Sequence, residues 1–118
     1  MEEPKTLYGK YLTERTDREI LECEDGFATF ELNDEVCYIV DIFVDLSKRY
    51  TGLGSKMADE ISEMARAEGC KWLLGSVDPL ANNATESMRS LLIYGFELSH
   101  IEAPLIYLKK SLVNRGED

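Results

Sequence analysis

The fold of this chain is decided by residues 44–54, VDLSKRYTGLG. The stretch follows a run of β-forming residues and precedes a segment with helical periodicity, so it is predicted to join a buried strand to a helix. The first turn of a helix has backbone N–H groups without intrahelical partners and carries a partial positive charge. Gly52 and Gly54 lack a Cβ atom that would keep an anion from these donors. The stretch therefore predicts a loop that binds phosphate or pyrophosphate.

The segments on either side of this loop predict a parallel α/β unit. Before it, residues 36–44 are nearly all β-formers with apolar residues on both faces, which is typical of a central strand. After it comes an amphipathic helix that ends at Gly69. Its apolar positions recur at steps of three and four, at Leu53, Met57, Ile61, Met64 and Ala65. Residues 70–77 form a second buried strand, which implies parallel strands and a right-handed crossover.

The segment before this unit predicts a hairpin. Residues 20–23 and 27–32 alternate in polarity and flank Glu24-Asp25-Gly26, which reads as a turn. A short helix is expected within residues 7–18.

The segment after the unit predicts a helix and a closing pair of strands. Asn83 and Glu86 have the spacing of a capping box, and the helix that they begin stops at Gly95. Two antiparallel strands follow, at residues 96–98 and 105–108, turned through 101–104. We therefore expect a mixed α/β sheet, mostly antiparallel, with a parallel strand–helix–strand core.

Composition excludes several functional classes. The 118 residues, 44% of them hydrophobic and without a linker or repeat, predict one domain over 1–118. No apolar run approaches the roughly 20 residues of a membrane-spanning helix, and no secretory signal begins the chain. We therefore expect a cytoplasmic protein without a membrane partner. The net charge of −10 argues against nucleic acid and favours cationic partners such as protonated amines.

The cysteines and the histidine give no sign of a metal site or a covalent nucleophile. Cys23, Cys37 and Cys70 have no metal-site spacing and lie in apolar surroundings, so we expect three buried, reduced thiols and no metal. His100, far along the chain, is expected at the surface rather than as a base.

Three kinds of glycine loop are candidates for residues 44–54. A Walker A loop requires GxxxxGK[ST], which is absent, and a dinucleotide fingerprint requires a third glycine where Met57 stands. The stretch instead resembles the pyrophosphate loop of the GNAT superfamily of N-acetyltransferases, V-x-x-x-x-[R/Q]-x-x-G-x-[G/A]. The matching residues are Val44, Arg49, Gly52 and Gly54.

The resemblance extends over roughly residues 26–108, with the elements in the family's order. Residues 91–96, LLIYGF, look like the family helix that ends in Gly-Phe. In its compactness the chain is similar to GNAT-like proteins encoded by phages.

The resemblance implies an enzyme that transfers an acetyl group from acetyl-CoA to a primary amine by direct attack. The cofactor is then expected in a cleft where the strand ending at Val44 splays from the strand ending at Val77. A backbone N–H near Val44 is expected to stabilise the oxyanion. The implied cofactor-binding residues are Ile42, Phe43, Val44, Arg49, Tyr50, Thr51, Gly52, Leu53 and Gly54, with Asn83 and Ser87 from the later helix.

The resemblance also implies an acid and a base. Asp41, with Glu35 at the start of the strand, is the carboxylate candidate for the base, and Tyr38 stands where some members have a glutamate. Asp41 and Tyr38 face opposite sides of a regular strand unless a bulge intervenes. The usual acid, a tyrosine four residues before Gly-Phe, is replaced by Leu91, so Tyr94 is the nearest candidate.

Two departures from the family pattern leave a second function open. The segment before Ile20 is short, and Leu91 replaces the usual tyrosine. The acceptor, a small molecule or a protein amine, is then expected in an open groove or against the partner of a homodimer. The alternative is a catalytically degenerate GNAT fold that serves as a CoA-binding or protein-interaction module.

Overall fold

A six-stranded sheet organises residues 3–113, the part of the chain that the computed structural model describes. The elements are α1 (Leu7–Arg15), β1 (Glu19–Cys23), β2 (Gly26–Asn33), β3 (Val36–Val44), α2 (Leu53–Ala67), β4 (Trp72–Val77), α3 (Ala84–Tyr94), β5 (Glu97–Glu102) and β6 (Leu105–Ser111). A short 3-10 turn, Leu46–Lys48, lies between β3 and α2.

The strand order confirms the predicted mixed sheet. Across the sheet the strands run β1-β2-β3-β4-β6-β5, and every neighbouring pair is antiparallel except β3 and β4. Helix α2 makes the crossover between these two parallel strands, as a strand–helix–strand unit requires. The hairpin, the central strand, both later helices and the closing strand pair all appear in the predicted order.

One face of the sheet, here called the helix face, carries the main hydrophobic core. The amphipathic α2 places Met57, Ile61 and Ala65 on this face, and all three are buried. The strands contribute alternate residues from the same side, as the period of two demands. These are Ala28, Phe30, Cys37, Ile39, Leu73, Val77 and Leu108.

The opposite face is covered only in part and is here called the open face. Helix α1 packs against β1, and its Tyr8 ring lies 5.4 Å from the Phe27 ring of β2. Buried residues of this layer include Leu12 and Ile20. Farther along the same face, Tyr107 is half-buried and His100 is exposed. No helix in residues 3–113 is long and apolar enough to cross a membrane.

Several local predictions were wrong in detail. Cys37 and Cys70 are buried, but Cys23 is exposed because it ends the edge strand β1. The second parallel strand begins at Trp72 rather than at Cys70. The last turn is shorter than predicted, because β5 and β6 pair as far as Glu102 and Leu105.

The predicted end of α2 is confirmed, whereas the predicted cap of α3 is absent. Gly69 follows α2 with φ of +90°, a left-handed conformation that favours glycine and ends the helix as predicted. Helix α3 does begin after Asn83, but the Asn83 side chain makes no capping hydrogen bond.

The core predicts a large difference between two leucines. Leu73 is fully buried under α2, whereas Leu7 on α1 is 85% exposed. Leu73→Ala should lower the free energy of unfolding by about 2–5 kcal/mol, because it removes buried methyl groups and leaves a cavity. Leu7→Ala should change the free energy of unfolding by less than about 0.5 kcal/mol. Urea unfolding monitored by circular dichroism measures both, and equal effects would contradict this assignment of the core.

Candidate functional site

The two parallel strands separate soon after they begin to pair. Strands β3 and β4 are paired at three positions, from Val36–Trp72 to Tyr38–Leu74. Beyond that point β3 continues to Val44 and β4 to Val77. On its other side β3 stays paired with β2 as far as Val44. The β4-facing edge of residues 39–44 therefore lines a wedge-shaped opening, here called the cleft, whose narrow end at Tyr38 and Leu74 is its vertex.

The loop after β3 is held in shape by its own polar groups. The Asp45 carboxylate accepts a hydrogen bond from the backbone N–H of Ser47 at 3.1 Å. Bonds from Ser47 lower the pKa of Asp45. The Thr51 hydroxyl donates to the Lys48 carbonyl at 2.6 Å. Arg49 Nε donates to the Val44 carbonyl at 3.1 Å, so the loop arrives at the mouth of the cleft in a defined conformation.

Helix α2 begins at this mouth with free backbone donors. Its N-cap is Gly52, at φ of +89°, and it has no side-chain capping bond. The first helical hydrogen bond runs from Lys56 N to Gly52 O at 3.0 Å. The N–H groups of Leu53, Gly54 and Ser55 consequently have no partner within the helix and point toward its N-terminal side.

Gly54 is not required by the packing of the chain. A Cβ atom added there would lie 3.9 Å from Ile42 and 4.0 Å from Val44, which is ordinary contact. Its φ is not left-handed. A glycine within a helix also costs up to about 1 kcal/mol relative to alanine. The absent Cβ leaves space between the start of α2 and the end of β3, where a ligand can approach the backbone.

Tyr50 has an unusual backbone conformation for its residue type. Its φ is +66°, and its side chain is 95% exposed. A left-handed conformation costs a non-glycine residue roughly 1–2 kcal/mol. The loop therefore keeps a strained turn directly before Thr51 and Gly52, a combination that recurs at binding sites.

A β-bulge brings two of the predicted catalytic residues onto one face. Tyr38 pairs with Glu31 and Asp41 pairs with Thr29, so Val40 is the extra residue on β3. Directly paired residues share a face, and Thr29 and Glu31 are two apart on β2. Tyr38 and Asp41 therefore both lie on the open face, although a regular strand would have separated them.

Tyr38 lies at the vertex of the cleft. Its hydroxyl is 2.6 Å from the Ser76 hydroxyl on β4. Its ring centroid is 6.5 Å from that of Tyr107. The Tyr107 ring is stacked on His100, with centroids 4.8 Å apart. The sequence missed this row of side chains, because the row depends on the register of four strands.

Tyr94, the last residue of α3, contacts α2 and does not lie at the vertex. Its hydroxyl donates to the Asp59 carboxylate of α2 at 2.6 Å. Ser62 is a second partner at 3.5 Å. Burial, and then the bond to the Asp59 carboxylate, raise the pKa of Tyr94. At the start of α3, Ser87 is half-buried and Asn83 is exposed.

Glu35 is engaged elsewhere. Its carboxylate lies 3.3 Å from the Lys71 ammonium, next to the beginning of β3. It is therefore at the opposite end of the strand from the mouth of the cleft.

A groove of about 560 Å³ opens on the open face beside the end of β3. The Phe27 and Phe43 rings are stacked in it with centroids 5.6 Å apart. Phe43 is two residues from Asp41 and lies on the same face, since it pairs with Phe27. The other polar lining is mainly acidic and includes Glu22, Glu24, Asp25 and Asp45.

The comparison with protein families gives one clear result. The profile of the Acetyltransferase (GNAT) family matches residues 5–89. Among curated proteins, none matches the sequence significantly.

Solved structures share this fold at low sequence identity. The PaiA N-acetyltransferase of Thermoplasma acidophilum, in complex with coenzyme A, superposes with a TM-score of 0.72 at 10% identity, over 84% of this chain and 64% of that one. An aminoglycoside 6'-N-acetyltransferase complexed with coenzyme A gives 0.71 at 11% identity, over 88% and 78%. A GNAT family acetyltransferase from Elizabethkingia anophelis with acetyl-CoA bound gives 0.68 at 18% identity, over 89% and 81%.

The chain is shorter than several matching structures. It spans 62% of one from Desulfovibrio desulfuricans and 64% of one from Thermoplasma volcanium.

The buried thiol of Cys37, on the helix face, is a poor nucleophile. Burial, and then the neighbouring Cys70, raise the pKa of Cys37 to about 12. With this pKa only about one Cys37 in a thousand is ionised at pH 9. Cys37 is therefore unreactive, because the thiolate is the reactive form. Cys23, by contrast, is exposed.

These environments predict selective thiol labelling. At pH 8.5 a disulfide reagent should modify Cys23 of the native protein rapidly, and Cys37 only after unfolding. Mass spectrometry of digested protein identifies the labelled residue, and Cys23→Ser should remove the fast phase. Rapid modification of native Cys37 would contradict the prediction and reopen a covalent mechanism.

Proposed function

The chain belongs to the acetyltransferase (GNAT) family, and from this premise we propose that it transfers an acetyl group from acetyl-CoA to a primary amine. The observation that carries the proposal is the open edge of β3 next to the start of α2, which has no side-chain cap. Gly54, a glycine that the packing does not require, lies between them. In this proposal residues 1–118 act as one acetyltransferase domain.

The residues around the cleft fit the two polar parts of the cofactor. The edge of β3 at Ile42, Phe43 and Val44 offers backbone groups to the amides of pantetheine, in the manner of an added strand. The Val44 carbonyl is an exception, because it already accepts from Arg49. The free N–H groups at the start of α2 suit a pyrophosphate, and Arg49 adds positive charge. When bound, acetyl-CoA supplies an acetyl thioester whose carbonyl carbon is the electrophile.

Asp41 is the proposed base. It is an exposed carboxylate on the open face, two residues from Phe43 in the acidic groove. It takes a proton from the ammonium group of the acceptor, which leaves a neutral amine able to attack. A backbone N–H near Val44 stabilises the negative charge that develops on the carbonyl oxygen.

Two tyrosines are candidates for the group that protonates the leaving sulfur. Tyr38 is favoured, because its hydroxyl lies at the vertex, on the same face as Asp41. The Tyr94 hydroxyl already donates to Asp59 and joins α3 to α2.

The groove supports a cationic acceptor. Its aromatic lining, formed by Tyr8, Phe27 and Phe43, attracts organic cations through π electrons. The Arg49 guanidinium already makes such a contact, 5.6 Å from the centre of the Phe43 ring. The surrounding carboxylates and the net charge of −10 add long-range attraction. Both a small amine and the amine of a protein side chain have this chemistry.

The second candidate is a catalytically degenerate fold that binds CoA or a protein. The engagement of Tyr94 with Asp59, and leucine at position 91, favour it. Calorimetric titration with acetyl-CoA separates the two functions in part: no binding at millimolar cofactor would exclude the enzyme. If the cofactor binds, mass spectrometry of a panel of amines after incubation tests turnover.

Gly54 provides the sharpest test of the cofactor site. Gly54→Ala should leave the fold intact and raise its stability by up to about 1 kcal/mol, because alanine favours the helix and has room. The same variant should weaken acetyl-CoA binding, and Gly54→Asp should abolish it by adding negative charge beside the pyrophosphate. Calorimetric titration and thermal unfolding measure the two effects.

A matched control distinguishes local from general effects. Ser90→Asp adds the same charge at an exposed position on α3 and should leave acetyl-CoA affinity unchanged. Undiminished binding by Gly54→Asp would show that the cofactor does not approach α2 at this point.

Asp41→Asn tests the base. If Asp41 accepts the proton, the substitution should lower kcat by about 10²- to 10⁴-fold and change its pH dependence. Acetyl-CoA affinity should remain that of the wild-type protein. Asp17→Asn, at an exposed position before β1, is the control. An unchanged pH–rate profile in Asp41→Asn would rule this carboxylate out.

A further inference from the structure

Ser76 is a β4 residue to which neither the family motif nor the proposed reaction assigns a role. We propose that Ser76 is a positioning residue for acetyl transfer: its hydroxyl holds the Tyr38 hydroxyl across the vertex of the cleft. The catalytic part of this proposal rests on the proposed function, whereas the link between the strands does not.

The position of the hydrogen bond sets it apart from an ordinary surface contact. The last backbone pair between β3 and β4 is Tyr38 with Leu74. Ser76 lies two residues farther along β4, where the two strands are no longer paired. The 2.6 Å bond between the Tyr38 and Ser76 hydroxyls therefore joins the strands just beyond the end of their ladder.

The proposed pyrophosphate site and the proposed acceptor groove lie on different faces of the sheet. The bond lies on the acceptor's face, at the vertex of the cleft. The start of α2, the proposed pyrophosphate site, belongs to the helix face. Asp41 and the acidic groove belong to the open face. Tyr38 and Ser76 lie on the open face at the vertex, since Ser76 pairs with Tyr107 and bonds to Tyr38.

The surroundings of Tyr38 limit where its hydroxyl can go. The Tyr107 ring lies 6.5 Å from the Tyr38 ring on one side. His100 is stacked on the far side of this row. Either hydroxyl can donate in the 2.6 Å bond. When the Ser76 hydroxyl donates, it holds the Tyr38 oxygen in place and leaves the Tyr38 proton directed away from Ser76. A fixed donor needs no reorganisation at the moment of reaction.

The protons balance in this arrangement. As the N–C bond forms and the C–S bond breaks, Tyr38 gives its hydroxyl proton to the sulfur. Ser76 donates its own hydroxyl proton to the Tyr38 oxygen and regains one from water on the open face. The attacking nitrogen has already given one proton to Asp41 and loses its second proton to water, which replaces the proton that water gave to Ser76. Asp41 then releases its proton to solvent, so both hydroxyls and the carboxylate end unchanged.

The link between the strands is tested without turnover. Tyr38→Phe and Ser76→Ala, separately and together, are compared by urea unfolding and by acetyl-CoA titration. If the two hydroxyls bond, the double variant should shift the unfolding midpoint by less than the sum of the single shifts. Acetyl-CoA affinity should stay within about threefold of the wild-type value, because backbone groups and not these hydroxyls hold the cofactor. Additive midpoint shifts would overturn the bond.

The positioning role is tested by kinetics on an accepted amine. Tyr38→Phe and Ser76→Ala should each lower kcat by about tenfold or more with little change in KM, and the double variant should be no slower than Tyr38→Phe alone. Ser76→Thr, which keeps the hydroxyl, should restore most of kcat. Wild-type kcat in Ser76→Ala, or equal losses in Ser76→Ala and Ser76→Thr, would overturn the role.

Matched controls and the wild-type protein separate the remaining outcomes. Ser90→Ala and Tyr11→Phe change exposed residues on α3 and α1, and should leave kcat unchanged. A wild-type protein that binds acetyl-CoA but acetylates no amine would overturn the proposed function and the catalytic role of Ser76. The unfolding measurements would still decide whether Tyr38 and Ser76 are coupled.

Discussion

The short parallel pairing of β3 and β4 is the constraint on which the rest of the site depends. Three residue pairs connect the strands, and the longer remainder of β3 is left with one edge unpaired. Backbone groups in such a position have no partner in the sheet and bond to water, to a ligand or to a side chain, as the Val44 carbonyl does to Arg49. After Val44 the chain enters a loop, and this loop places the start of α2 at the mouth of the cleft. One interrupted ladder thus creates both the cleft and the place of the helix N-terminus beside it.

The arrangement is also compatible with the binding of the two proposed substrates, one anionic and one cationic, by an acidic protein. The net charge of −10 would repel a pyrophosphate if it were spread evenly. The free N–H groups at the start of α2 instead present positive potential locally, with Arg49 and Lys48 in the adjoining loop. The carboxylates of Glu24, Asp25 and Asp45 lie in the groove of the open face. The helix donors and the groove carboxylates are therefore presented to the two proposed substrates at different places around the end of β3. The Arg49 guanidinium is close to both regions, since it lies 5.6 Å from the centre of the Phe43 ring in the groove.

The sequence predicted the elements well because periodicity and glycine placement are local signals. The run of β-formers before Val44, the helical period after Gly52 and the stop at Gly69 all report on neighbouring residues, and the structure has each element. The bulge at Val40 is a different kind of feature, since it arises from the register of β3 against β2. The bond between Tyr38 and Ser76 joins residues 38 positions apart and depends on the parallel register. Tyr94 illustrates the same limit, because its partner Asp59 belongs to another helix.

The distribution of burial explains how the protein tolerates an open cleft in its central sheet. At the paired end, Cys37 and Leu73 are opposite each other and both are fully buried beneath α2. At the unpaired end, Ile42 is 38% exposed and Phe43 is 48% exposed. The paired end is therefore closed by the core, whereas apolar side chains of β3 are partly exposed near the mouth of the cleft. A strained Tyr50 and an unneeded Gly54 lie at the weakly packed end, where their cost is confined to the loop and the first turn of α2. Departures from local preference that the core does not require are expected at functional positions, and here they coincide with the mouth of the cleft.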